Sequence, residues 1–136
     1  MNEKIKVLIV DDSAIVRDLL EKKISEHPDM EVVGTAMDPY VARDKIVRLN
    51  PHVVTLDIEM PRMDGLTFLQ KLMQYYPVPI IIVSSLLAKD SLTPIKALEL
   101  GAFDVVAKPH GSISVQEVIQ EIVQKIRLAY QSRHTF

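Results

Sequence analysis

The sequence predicts an α/β protein, an open three-layer sandwich in which five helices flank a five-stranded parallel sheet. Three observations carry that expectation. Short runs rich in Val and Ile alternate with longer segments whose apolar residues recur at three and four, the pattern of a repeated strand–helix unit. The first, third and fourth short runs are almost continuously apolar, as happens where helices cover both faces of a parallel sheet. Finally, 136 residues, 48% hydrophobic and with no cysteine, suit one globular domain with a single sizeable core.

Taken in order, the strands are expected at Ile5 to Val10, Glu31 to Ala36, Val53 to Asp57, Pro79 to Ser84 and Asp104 to Ala107. The first helix is marked by Val16, Leu19, Leu20 and Ile24, and the second by Ala42, Ile46 and Leu49. Asp38 before Pro39 reads as an N-cap with proline in the first turn. Leu66, Leu69, Leu72, Met73 and Tyr76 mark the third helix, and Leu92, Ile95, Leu98 and Ala102 the fourth and its exit. The fifth is the clearest: Val115, Val118, Ile119, Ile122, Val123 and Ile126 form one stripe, and Ser114 with Glu117 spells a capping box at its start. Pro51, Pro77 and Gly101 punctuate helix exits, and residues 131–136, where the apolar pattern stops, read as a frayed tail or the start of a linker. Right-handed crossovers leave few topologies for such a chain, of which the flavodoxin-like order 2-1-3-4-5 is the commonest.

Composition excludes several functions. The absence of cysteine removes disulfide scaffolds, thiolate metal sites and thiol catalysis, and fits a reducing cytoplasm. Sixteen Lys plus Arg against eighteen Asp plus Glu is too balanced for a module that grips nucleic acid through phosphates. The apolar runs are of strand length, far below the roughly 20 residues of a membrane helix, and the first is too short for a secretory signal. No direct nucleic-acid contact and no membrane insertion are expected. His27, His52, His110 and His134 have no metal-ligand spacing, and Gly111, Ser112 and Ser114 do not complete a serine-nucleophile elbow.

In an open sheet of this order, ligands sit beyond the carboxyl ends of the strands where connections leave in opposite directions, here between strands one and three. Strand one runs into Asp11 and Asp12, strand three ends at Asp57 followed by Ile58 and Glu59, strand four ends at Ser84 and Ser85, and strand five delivers Lys108 before Pro109. Two carboxylates about 4 Å apart repel by about 1 kcal/mol in water and about 4 kcal/mol at an effective dielectric near 20. A hard divalent cation such as Mg²⁺ offsets this, taking oxygen ligands and often a phosphate as well. Acid, cation, hydroxyl and amine at one rim suit phosphoryl transfer with Asp57 as nucleophile, giving an aspartyl phosphate.

Each residue also has a bland reading. Asp11 and Asp12 can cap the first helix with Ser13, Asp57 can cap a turn, Lys108 can be a solvated lysine before a turn proline, and the Ser84 hydroxyl can be satisfied by backbone. The joint pattern favours function, because solvation alone does not place acid, acid, hydroxyl and lysine at four strand ends.

These residues resemble the receiver domain of two-component response regulators, over about residues 4–130. The acidic pair, the aspartate followed by Met-Pro-x-Met-Asp-Gly, the hydroxyl and the Lys-Pro pair are all present. The resemblance implies a CheY-like fold with Asp57 as phosphoacceptor, Asp11, Asp12 and Asp57 as ligands of Mg²⁺ (or Mn²⁺), Glu59 contributing its backbone carbonyl, and Ser84 and Lys108 contacting the phosphoryl group. It also implies a histidine kinase as donor, self-catalysed transfer and hydrolysis, and a cis Lys108–Pro109 bond. Finer features, DPYVARDKI from Asp38, VSSLLAKDS from Val83 and ALELGAFDVVAKP from Ala97, are similar to the amino-terminal receiver of chemotaxis protein-glutamate methylesterases (CheB type). That likeness implies a carboxy-terminal esterase domain acting on chemoreceptors, which would lie outside this chain. Val105 stands three residues before Lys108, where many receivers carry a switching aromatic, so output is expected through the face of helix four, strand five and helix five without an aromatic flip. The rivals are a stand-alone CheY-like receiver or the receiver of another regulator, an aspartate-nucleophile phosphatase using Asp57 and Glu59, and a flavodoxin-like nucleotide or flavin carrier.

Overall fold

A computed structural model describes residues 3–60, 64–85, 92–109 and 114–132. The elements in order are β1 (Ile5–Val10), α1 (Ala14–Ser25), β2 (Met30–Ala36), α2 (Pro39–Leu49), β3 (Val53–Leu56), α3 (Gly65–Tyr75), β4 (Ile80–Ser84), α4 (Leu92–Glu99), β5 (Asp104–Ala107) and α5 (Val115–Ser132). All pairings are parallel and the sheet order is β2-β1-β3-β4-β5, as expected. β1, β3 and β4 are the central strands. α1 and α5 cover one face, burying Leu20, Ile24, Ile122 and Ile126 on Val7, Ile9, Val53 and Ile81; α2, α3 and α4 cover the other over Leu8, Val10, Leu56 and Ile82. Each such fully buried Leu or Ile contributes about 1.5–3 kcal/mol.

Local chemistry sets the helix ends. The Ser13 hydroxyl accepts from Val16 N (3.3 Å), the Asp38 carboxylate from Tyr40 N and Val41 N (both 2.9 Å), and the Ser114 hydroxyl from Glu117 N (3.1 Å). α2 stops at Asn50, which takes the left-handed conformation (φ 50°) before Pro51. α4 exits through Gly101 at φ 112°, where a side chain would be strained and would meet Met73.

Four expectations about the helices need correction. Three of the residues marking α4 do not pack on the sheet: Leu92, Ile95 and Leu98 are 58%, 53% and 46% exposed, whereas Thr93, Ala97 and the exit residue Ala102 are buried. Periodicity gives spacing, and it does not say which side of a short helix turns inward. In α3, Tyr76 is exposed while Phe68 is buried, and Val115 of α5 lies outside the buried stripe. α5 also runs through Gln131 to Ser132, and residues 133–136 lie outside the described residues. His110, Gly111, Ser112 and His134 lie there too.

The Thr55 hydroxyl in β3 is buried with no hydrogen-bond partner among the described residues. Replacing it with the isosteric Val removes an unsatisfied polar group at nearly constant volume. Thr55→Val is expected to raise stability by about 1 kcal/mol in urea unfolding; a loss would show that the hydroxyl has a partner.

Candidate functional site

Backbone pairing carries the ladder one residue past two strands and so brings the acids together. Asp11 N donates to Ala36 O (3.0 Å), and Asp57 N donates to Val10 O (2.9 Å). Because Val10 is paired with Leu56, the residues that follow them, Asp11 and Asp57, emerge side by side. Ser84 is paired with Ala107, so Lys108 emerges on the same rim.

The Lys108 ammonium bridges the two buried acids, at 2.9 Å from Asp11 Oδ2 and 3.1 Å from Asp57 Oδ2. The other oxygens are held by backbone: Asp11 Oδ1 accepts from Ser13 N and Asp57 Oδ1 from Glu59 N, both at 2.9 Å. The Arg17 guanidinium donates to the Asp11 carbonyl at 2.7 Å, tying α1 to the site. Asp11 and Asp57 are each 2% exposed, whereas Asp12 is open to solvent. The capping alternative is therefore divided: Ser13 caps α1, and Asp11 steadies that turn while facing the cluster.

One ammonium between two buried carboxylates leaves negative charge uncompensated. Burial pushes the Asp57 carboxyl above its ordinary range and the Asp11 charge adds to this, against the opposing pull of Glu59 N and Lys108. For Lys108, burial disfavours the charge, but the hydrogen bond to Asp11 and the charges of Asp57 and Asp11 outweigh it, so its pKa is raised. Carboxylate oxygens of Asp11, Asp12 and Asp57 lie within 4.8 Å of one another. An all-oxygen, net-negative donor set of this kind fits a hard divalent cation.

Ser84 is fully buried at the end of β4, and its carbonyl accepts from Lys108 N at 3.4 Å. The Glu59 carboxylate lies outside the three-aspartate cluster and accepts from the Ser85 hydroxyl at 2.7 Å. The Lys108–Pro109 bond, expected cis, is trans, and no cis peptide occurs among the described residues. A prolyl bond prefers trans by about 0.5–1 kcal/mol unless its surroundings select cis. Residues 61–63 of the Met-Pro-x-Met-Asp-Gly stretch and residues 86–90, part of the VSSLLAKDS stretch, lie outside the described residues.

Two contributors were present in the sequence motifs but had no role assigned to them. Gly65, at the start of α3, sits where an added Cβ would be 2.3 Å from Ile58 Cα, directly beside Asp57. Ser85 was legible only as half of a double serine. A cavity of about 680 Å³ lies at the other end of the sheet, lined by Asn50, Pro51, His52, Tyr75 and Pro79, and takes no part in the acid cluster.

Residues 7–122 match the family model described as response regulator receiver domain. The chain is 59% identical over 130 residues to protein-glutamate methylesterase/protein-glutamine glutaminase 2 of Syntrophus aciditrophicus (strain SB), covering 96% of this chain and 38% of that protein. A homologous methylesterase/glutaminase of Geobacter metallireducens is 57% identical over 133 residues, with 96% and 37% covered. The chain thus spans little more than a third of the length of these relatives. Among solved structures, the response regulator domain of Thermotoga maritima CheB superposes with a TM-score of 0.87 at 44% identity, covering 95% of this chain and 98% of that one. CheY6 of R. sphaeroides, solved in complex with the P1 domain of CheA3, is similar at 34% identity and a TM-score of 0.78, with 96% and 99% covered. With strand order, rim chemistry and a family match over most of its length in agreement, the chain belongs to the response regulator receiver domain family.

Proposed function

We propose that this chain is the phosphoacceptor switch of a CheB-type chemotaxis regulator, with Asp57 receiving the phosphoryl group of a histidine kinase. The observation that carries the reading is the Lys108 ammonium set between two buried carboxylates, with Asp12 exposed beside them. A carboxylate oxygen of Asp57 forms a bond to phosphorus as the phosphorus–nitrogen bond of the donor phosphohistidine breaks. The electron pair stays on the imidazole, which takes up a proton. Asp11, Asp12 and Asp57, with the Glu59 backbone carbonyl, would hold the cation, Mg²⁺ or Mn²⁺. When bound, the cation neutralises charge on the transferring group. Lys108 then exchanges its contact with Asp57 for one with a phosphoryl oxygen, and Ser84 donates to another. Water attack on phosphorus later returns the free carboxylate.

Output through α4, β5 and α5 is supported by the exposed Leu92, Ile95 and Leu98 and by the Lys125 ammonium of α5, which donates to Val105 O (3.1 Å) and pairs with Asp104 (3.4 Å). In a parent chain with this receiver followed by a linker beyond the end of α5, this face would control a methylesterase domain acting on chemoreceptors. The names and lengths of the relatives support that arrangement. No helix among the described residues is long and apolar enough to cross a membrane, in keeping with the cytoplasmic location we assign. The phosphatase reading needs Asp57 and Glu59 as a working pair, whereas Ser85 engages the Glu59 carboxylate.

The test is incubation with acetyl phosphate and Mg²⁺, followed by intact-mass and peptide analysis. One phosphoryl group on the peptide containing Asp57 is expected, lost on adding EDTA to the reaction at the start. Labelling elsewhere, or none, would overturn the assignment.

A further inference from the structure

The mechanism above uses the backbone of Glu59 and leaves its side chain without a role, although this is a fourth carboxylate at the rim. Glu59 N donates to Asp57 Oδ1 at 2.9 Å, so the Glu59 side chain springs from backbone anchored directly beside the cluster. It is held elsewhere: the Ser85 hydroxyl donates to Glu59 Oε1 at 2.7 Å, across 26 positions of sequence. Both residues are half-buried, and Ser85 is fixed at its base by the fully buried Ser84 that ends β4. A short hydrogen bond to an ionised acceptor is of the stronger kind, and partial burial shields it from competing water.

We propose that Ser85 is a positioning residue that keeps the Glu59 carboxylate out of the Asp11–Asp12–Asp57 cluster and thereby sets the charge met by an arriving cation and phosphodonor. The proposal rests on the phosphoacceptor reading for its consequence, but the hydrogen bond and its effect on cation affinity do not. With the tether in place, three carboxylates and one ammonium face the ligand. With the tether cut, a fourth carboxylate is free to approach. Added negative charge strengthens attraction for a divalent cation and repels a phosphoryl donor.

The experiment compares the full chain with Ser85→Ala, Glu59→Gln and the double variant, using Mn²⁺ binding followed by the electron paramagnetic resonance of the free ion. Ser85→Ala is expected to bind Mn²⁺ about three- to tenfold more tightly, the size of one extra charge at this range. Adding Glu59→Gln to Ser85→Ala should return the affinity to the wild-type value, because an amide carries no charge to release. With acetyl phosphate at saturating Mg²⁺, Ser85→Ala should label several-fold more slowly, and the double variant should recover. Unchanged Mn²⁺ affinity in Ser85→Ala, or an increase that persists in the double variant, would overturn the proposal. Circular dichroism melts confirm that each variant is folded. If the wild-type chain takes no phosphoryl group, the function assigned to Asp57 fails, while the Mn²⁺ comparison still decides the role of Ser85.

Discussion

Asp57→Asn is expected to abolish phosphoryl labelling and, at the same time, to raise the melting temperature of the metal-free protein. The amide cannot act as the nucleophile, so no adduct should appear by intact mass. Stability moves the other way because the native fold disfavours the Asp57 charge: burial, reinforced by Asp11, raises its pKa above the ordinary aspartate value of 3.8. A carboxyl with a raised folded-state pKa binds more protons in the native than in the unfolded chain. Its stabilising contribution is therefore fully present below the unfolded value and is lost as pH rises through the folded value. At pH 7 in EDTA the wild type holds an ion it would rather not have, and the neutral amide relieves this while Lys108 keeps its 2.9 Å contact with Asp11. The gain should be of the size common when a functional site is relieved, about 0.5–2 kcal/mol, or a few degrees. It should shrink toward zero as the pH is lowered past 3.8. A variant that melts lower than wild type at pH 7 would show that the Lys108–Asp57 contact outweighs burial.

Gly65→Ala should cost about 3 kcal/mol or more, and should slow labelling of Asp57 without touching any charged residue. The conformation of Gly65 does not demand glycine; the space does. A Cβ there would lie 2.3 Å from Ile58 Cα and 2.6 Å from Ile58 O, and both are backbone atoms that cannot rotate away. Either the first turn of α3 lifts from the sheet or the segment carrying Asp57, Ile58 and Glu59 shifts. Overpacking that forces backbone to shift costs about 1–3 kcal/mol and occasionally more, and the 2.3 Å approach to a backbone atom puts this site at the upper end. A shift of Ile58 also disturbs the Glu59 N to Asp57 Oδ1 hydrogen bond, which orients the acceptor. Gly34→Ala is the control: its Cβ would meet the tip of Leu49 at 3.0 Å, a side chain able to give way, and because Gly within a strand is itself about 0.5–1 kcal/mol less favourable than Ala, little net change is expected. Urea unfolding and acetyl phosphate labelling measure both variants. Wild-type stability in Gly65→Ala would mean that α3 and the Ile58 segment are not in contact as described.

The strand ends carry most of the site within the amino-acid order itself. Asp11, Asp12, Asp57, Ser84 and Lys108 each stand where an apolar run stops, and a parallel sheet sends all such ends to one edge. What periodicity could not supply was which side of a short helix faces inward. In α4 the regularly spaced Leu92, Ile95 and Leu98 point to solvent because Thr93 and Ala97 make the contact. Nor could linear order show that Ser85 reaches Glu59, or that α3 needs a glycine against Ile58, since both are contacts between segments separate in the chain.

Strand, helix and cap chemistry act over a few neighbouring residues, so the amino-acid order alone determined the five strand–helix units, Ser114 and Asp38 as caps, and the presence of acids, a hydroxyl and a lysine at the sheet's edge. Charge balance and close approach depend on distances between segments that meet only after folding. Tertiary structure alone therefore decided that one Lys108 ammonium serves both Asp11 and Asp57, that Asp12 stays open to solvent, and that the Glu59 carboxylate is held by Ser85.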